Sequence, residues 1–105
     1  MAKSNYAFTW LGKAEDKEKL HLGLDELTGN DFEAAERAEM TAGNNAPLLM
    51  FSKSFQARLA AMALKVPAPE VKALPIKKYA VLTSEVFTFL FGQSEESVLE
   101  KPIEG

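Results

Sequence analysis

Pro47 and Pro67 bracket the run LLMFSKSFQARLAAMALKV, which contains no glycine or proline of its own and so commits the middle of the chain to one continuous helix. Pro47 suits a first helical turn, and the residue before Pro67 is steered out of helical geometry, which predicts a helix over about 47–66. At helical spacing Phe51, Met62, Phe55, Leu48, Val66, Leu59 and Ala63 fall in a stripe roughly 120° wide. Its other side carries Ala57, Ala60, Ala61 and Leu64 among Lys53, Ser54 and Gln56. Small residues on that side let a second helix approach closely, so we expect this helix to be central.

The flanking segments are read against it. NYAFTWL, from Asn5 to Leu11, alternates, with Tyr6, Phe8 and Trp10 on one face. LHLGL sets Leu20, Leu22 and Leu24 on a common face. With the charged GKAEDKEK between them, these runs predict a β-hairpin over about 5–24. TGND before FEAAERAEM predicts a helix over about 31–42, capped by Asn30 with Glu33 reaching back, anchored by Phe32 and stopped at Gly43. A proline-punctuated connector, PAPEVKALP, has room for one short helical turn. The charged residues 93–105 are expected to form a flexible tail. The expected fold is α+β and mainly α: an N-terminal hairpin, three helices and the tail, in a single domain over 1–92.

EVFTFLFG, Glu85 to Gly92, fits either a strand or the end of a helix. As a helix over about 75–91, Phe89, Leu82, Val86, Tyr79, Leu90, Phe87 and Phe91 lie in an apolar arc of roughly 200°, opposite Lys77, Lys78 and Glu85. The helix orders the charges and the strand does not, and Pro75 and Gly92 bound it. A docked helix needs a stripe of only roughly 100°. Either the rest of the molecule covers the excess, or it marks an interaction surface. Leu82, Val86, Phe89, Leu90 and Phe91 are the candidate protein-binding residues, with Phe87 and Phe91 toward the core and Phe89 at the far edge of the arc.

The sequence offers little chemistry. His21 is the one histidine and there is no cysteine, so neither a usual zinc set nor a thiolate nucleophile can be assembled, and we expect no cofactor, metal or catalytic residue. Glu33, Glu36 and Glu39 read as a solvated helix flank rather than an acid/base pair. With 12 Lys+Arg against 15 Asp+Glu the net charge is −3, which gives no field for phosphate, and the lysines at 65, 72, 77 and 78 read as solvated surface. No apolar run approaches the ~18 residues of a membrane span and no signal core opens the chain, so a cytoplasmic protein is expected.

The succession LGLDELTGNDF, EAAERAEMTAG, LLMFSKSFQARLAAMAL, VPAPEVKALPIKKYAVLTSEVFTFLFG and a polar tail resembles the small tail assembly chaperones of long-tailed bacteriophages and prophage-derived tail-like elements. The likeness covers roughly residues 5–92, with Lys78 standing where an acidic residue is common in the family. It implies a non-enzymatic chaperone in the host cytoplasm that keeps the long helical tape-measure protein soluble, helps tail-tube subunits polymerise around it and is absent from the finished virion. A homo-oligomer is also expected. The other reading open at this point is a small homo-oligomeric regulator, antitoxin-like or anti-repressor-like, acting on nucleic acid or a protein target.

Overall fold

A computed structural model describes residues 8–92, and among them the fold is all-α. The helices are α1 (Ala14–Glu26), α2 (Gly29–Thr41), α3 (Lys53–Leu64), α4 (Ala68–Lys72) and α5 (Ile76–Phe87). A 3-10 turn, Leu49–Phe51, precedes α3, and a π-helical turn, Thr88–Gly92, extends α5. The expected tail, 93–105, and the start of the expected hairpin lie outside the described residues.

No strand occurs among the described residues, which overturns the α+β expectation. The segment assigned to the hairpin's loop and second strand is helix α1. Its Ala, Glu and Lys residues are good helix formers, and Glu15 and Asp16 sit in the first turn, where the helix dipole favours acids. The Asp16 carboxylate accepts the backbone N–H groups of Leu11 and Lys13 at 3.1 and 3.2 Å, fastening the start of the helix. Leu20 and Leu24 are buried one turn apart, while Leu22 between them is 61% exposed, the reverse of a shared strand face. On the α3 side, Gly23 lies so close to Ala63 that a β-carbon there would come within 2.8 Å of the Ala63 carbonyl carbon. Trp10 lies in an irregular lead-in and is buried without a ladder.

The helix α2 begins two residues earlier than Asn30 and Glu33 suggested. Thr28 is the cap: its Oγ1 accepts the Asp31 N–H at 3.4 Å, and Asp31 Oδ2 accepts the Thr28 N–H at 2.9 Å, a closed capping box. Gly43 ends the helix in left-handed geometry (φ 99°), with its N–H bonded to Met40 O and that of Asn44 to Glu39 O. Phe32 is the anchor expected of it, edge-on to Phe55 at 5.0 Å.

Helix α3 starts at Lys53 rather than near Pro47, because Ser52 caps it, its Oγ accepting the Phe55 N–H at 3.5 Å. It stops at Leu64, where Lys65 takes a left-handed conformation (φ 61°) and the Val66 N–H reaches back to Ala61 O. The central position expected for this helix is observed: α3 packs against α1, α2, α4 and α5. Ala57, Ala60, Ala61 and Ala63 are buried along with Phe55 and Leu59, so its alanines do admit close neighbours. The core closes with Trp10, Val71 of α4, and Leu82 and Val86 of α5.

Candidate protein-binding surface

The strand-or-helix ambiguity of Glu85–Gly92 resolves as helix, but with a change of winding at Thr88 that divides the candidate residues. Leu82 and Val86, on the regular part, are fully buried in the core, so the fold leaves them no surface to offer a partner. Covering by the rest of the molecule accounts for that half of the apolar arc. Beyond Thr88 the wider i→i+5 winding re-aims the side chains. Phe89 and Leu90 turn toward the α1–α2 junction and, with Leu24, Leu27, Thr28, Gly29, Phe32 and Leu59, line a mostly apolar groove of about 270 Å³. That volume lies below the roughly 300–1,000 Å³ of small-molecule sites and suits inserted side chains. Phe89 also packs on the His21 ring, with centroids 5.8 Å apart.

Phe91 goes elsewhere. It stacks on Phe51 at 5.2 Å and an interplanar angle of 25°, and Phe87 completes the trio at 5.0 Å from Phe91 and 6.0 Å from Phe51. The expected core side for Phe87 and Phe91 is therefore corrected: both are only half-buried, against a Phe51 that is 52% exposed beside the 57% exposed Leu48. Phe51 and Leu48 were assigned to the buried stripe of the central helix, and the Ser52 cap leaves both outside that helix. An apolar groove and an aromatic patch, rather than one continuous arc, make up the accessible apolar surface at this end.

The polar side chains gather around Glu39, which departs furthest from its reading as a solvated residue. It is 1% exposed. Asn44 Nδ2 donates to its Oε1 at 2.8 Å and Arg58 Nε to its Oε2 at 2.7 Å, with Lys72 Nζ 3.8 Å from Oε2. Lys72 also donates to Ser54 Oγ at 2.6 Å, and Asn44 to Ser52 Oγ at 3.0 Å. Burial by itself pushes the Glu39 carboxyl up, but hydrogen bonds from Asn44, Arg58 and Ser54 and the charge of Lys72 outweigh it and hold the group below its usual range. Burial, and secondarily the Glu39 charge, pushes the Tyr79 hydroxyl up; it donates to Lys53 O at 3.3 Å. A carboxylate locked in its charged form by three elements is a structural tie, since a general base works best when poised near the ambient pH. Only the spacing of Glu39 on α2 was visible in the sequence; its partners come from positions 44, 58 and 72.

His21, within the run expected to be the hairpin's second strand, lies on α1 and reaches Glu85 Oε1 at 3.1 Å, while Lys17 approaches Oε2 of the same carboxylate at 3.5 Å. Phe8 is tied through its N–H to Glu70 Oε1 at 3.1 Å. A second, more polar hollow of about 360 Å³ between α2 and the segment at 46–49 is lined in part by Glu33, Glu36 and Arg37, all with access to solvent. Among the described residues no group of three His, Asp or Glu side chains is placed to hold a metal ion, and no helix is long and apolar enough to cross a membrane. No protein-family model, curated protein or solved structure matches the chain.

Proposed function

We propose that this chain is a non-enzymatic tail assembly chaperone of a long-tailed bacteriophage or a prophage-derived tail-like element. In this reading it acts in the host cytoplasm, binds the tape-measure protein through apolar surface and helps recruit tail-tube subunits. The observation that carries the proposal is the apolar groove beside the π-helical turn. A long helical client exposes apolar stripes before the tail tube covers them, and the complementary surface is a hydrophobic groove that takes side chains at helical spacing. The resemblance to the chaperone family rests on the helical segments alone, now that its N-terminal hairpin has given way to α1. The Phe51, Phe87 and Phe91 rings supply a second apolar surface for the expected self-association.

Co-expression with a tape-measure protein tests this. The wild-type chain is expected to keep the client in the soluble fraction, and Phe89→Glu to lose that effect while the Trp10 emission and thermal transition show a folded domain. A client equally insoluble with and without the chain contradicts the proposal. Should Phe89→Glu unfold the domain, Leu90→Ser carries the same test with a smaller change.

A further inference from the structure

His21, the one histidine of the chain, touches both sides of the change of winding that shapes the groove. Its Nε2 lies 3.1 Å from Glu85 Oε1, on the regular part of α5, and its ring packs at 5.8 Å on Phe89, in the π-helical turn. A single side chain from α1 therefore spans the junction at Thr88 and backs one wall of the groove, since Phe89 lines it. A π-helical turn is a rare winding, found mostly where function favours it, so the contact that fixes it is a natural point of control. Among the described residues, Glu85 is the charged group of α5 that meets the ring; Lys77 and Lys78 lie two turns earlier. On α1, Lys17 stands one turn before His21 and approaches Glu85 Oε2 at 3.5 Å, while Glu18 and Asp25 flank His21 at helical spacing. Both Glu85 oxygens thus have a partner, and only one of the two partners changes charge between about pH 5 and 8. A protonated histidine donates to the carboxylate from a charged ring and sets a cation within the roughly 6 Å over which an aromatic ring attracts it. In the neutral ring Nε2 donates in one of two tautomers, and neither contact is charge-assisted.

We propose that His21 is a proton-operated clasp on the groove: protonated, it ties Glu85 to Phe89 across the change of winding and holds the Phe89 ring in the wall, and neutral, it lets that wall shift. The inference rests on the chaperone reading only for what the groove holds, and adds how the groove is regulated. Lys17 keeps α1 and α5 paired through Glu85 in either state, so the change is confined to the His21 ring and the wall it backs. A clasp of this kind needs two arrangements of the π-helical turn that the proton tells apart, and a side chain touching both Glu85 and Phe89 is placed to do so.

The test is NMR of the full chain without a client, following the His21 ring and the methyl groups of Leu24, Leu27 and Leu90 from about pH 5 to 8. The methyls, which do not titrate, are expected to shift in one step that coincides with the His21 titration. Cross-peaks between the His21 and Phe89 rings should be strong at the acid end and weaken as the proton leaves. His21→Gln keeps a donor but removes the titrating ring, so the methyl step should be lost while the thermal transition shows a folded domain. Should that variant fail to fold, His21→Phe, which keeps a ring with no proton to exchange, carries the same test. In Glu85→Gln the histidine still titrates, and the methyl step should shrink because the ring has no carboxylate to grip. Ring cross-peaks equally strong at both ends of the range, methyls unmoved while His21 titrates, or a step that survives in the His21 variant overturns the proposal. A client kept soluble by a chain that shows no step removes this inference and leaves the chaperone reading standing. The step as described, with every tape-measure client left insoluble, does the reverse.

Discussion

Replacing Glu39 by Gln keeps the side chain's shape and removes its charge, and the consequence follows from its contacts. The bonds from Asn44 and Arg58 fall from charge-assisted to neutral, and the net worth of each drops by about 1 kcal/mol. The new amide must also turn its NH2 toward one of these donors, leaving buried donors face to face at a further cost of about 1–3 kcal/mol. Relief from burying a carboxylate offsets part of this, and Arg58, at 22% exposure, can partly rehydrate. The expected net loss at pH 7 is about 2–3 kcal/mol, or roughly 10–20 °C in Tm for a domain of this size. Urea denaturation followed by emission of the single tryptophan, Trp10, which is buried at 1% exposure, measures it. Because the native carboxyl lies below its ordinary value of 4.5, its contribution is fully present above about pH 4.5 and is lost as pH falls through the native value. The gap between wild type and Glu39→Gln should therefore be open at pH 7 and close in acid, where the other carboxylates titrate alike in both proteins. Coincident denaturation curves at pH 7, or a gap that widens in acid, refute the reasoning.

Gly23→Ala improves helix propensity by about 1 kcal/mol but drives a methyl into the Ala63 backbone, so a net destabilisation of about 1–2 kcal/mol is expected in urea denaturation. Lys65→Gly relieves a left-handed residue that costs about 1–2 kcal/mol and returns about 0.4–1 through a freer unfolded chain. A gain of about 0.5–1 kcal/mol should appear as a raised Tm. Leu82→Ala should cost about 2–5 kcal/mol in the same denaturation assay, as expected for a fully buried leucine. Phe91→Ser, on the half-buried aromatic patch, should cost less than Leu82→Ala and should shift the sedimentation of any oligomer toward monomer.

What could be read from the residues alone was whatever is decided locally. Gly43, Pro75 and the alanine-lined central helix carry their instructions within a turn or two, and α2, α3 and α5 follow them. Helix α1 was misread because Leu20, Leu22 and Leu24 satisfy a strand's period, while Leu20 and Leu24 equally satisfy one helical turn. The contact that decides it, Gly23 on Ala63, joins residues forty positions apart. The partners of Glu39 are dispersed in the same way. The candidate surface was half legible: apolar excess at the end of α5 was visible, but the π-helical turn that follows the buried Leu82 and Val86, aims Phe89 and Leu90 into the groove and sends Phe91 to Phe51 is a change of winding that regular periodicity does not contain.

The central claim is that the groove beside the π-helical turn holds a client helix. Methyl-resolved NMR of the full chain, titrated with a soluble helical fragment of a tape-measure protein, tests it most directly. The account predicts shifts concentrated at Leu24, Leu27, Leu59 and Leu90, with Leu82 and Val86 little moved. No shifts at saturating fragment, or shifts confined to Leu48 and the aromatic patch, contradict it.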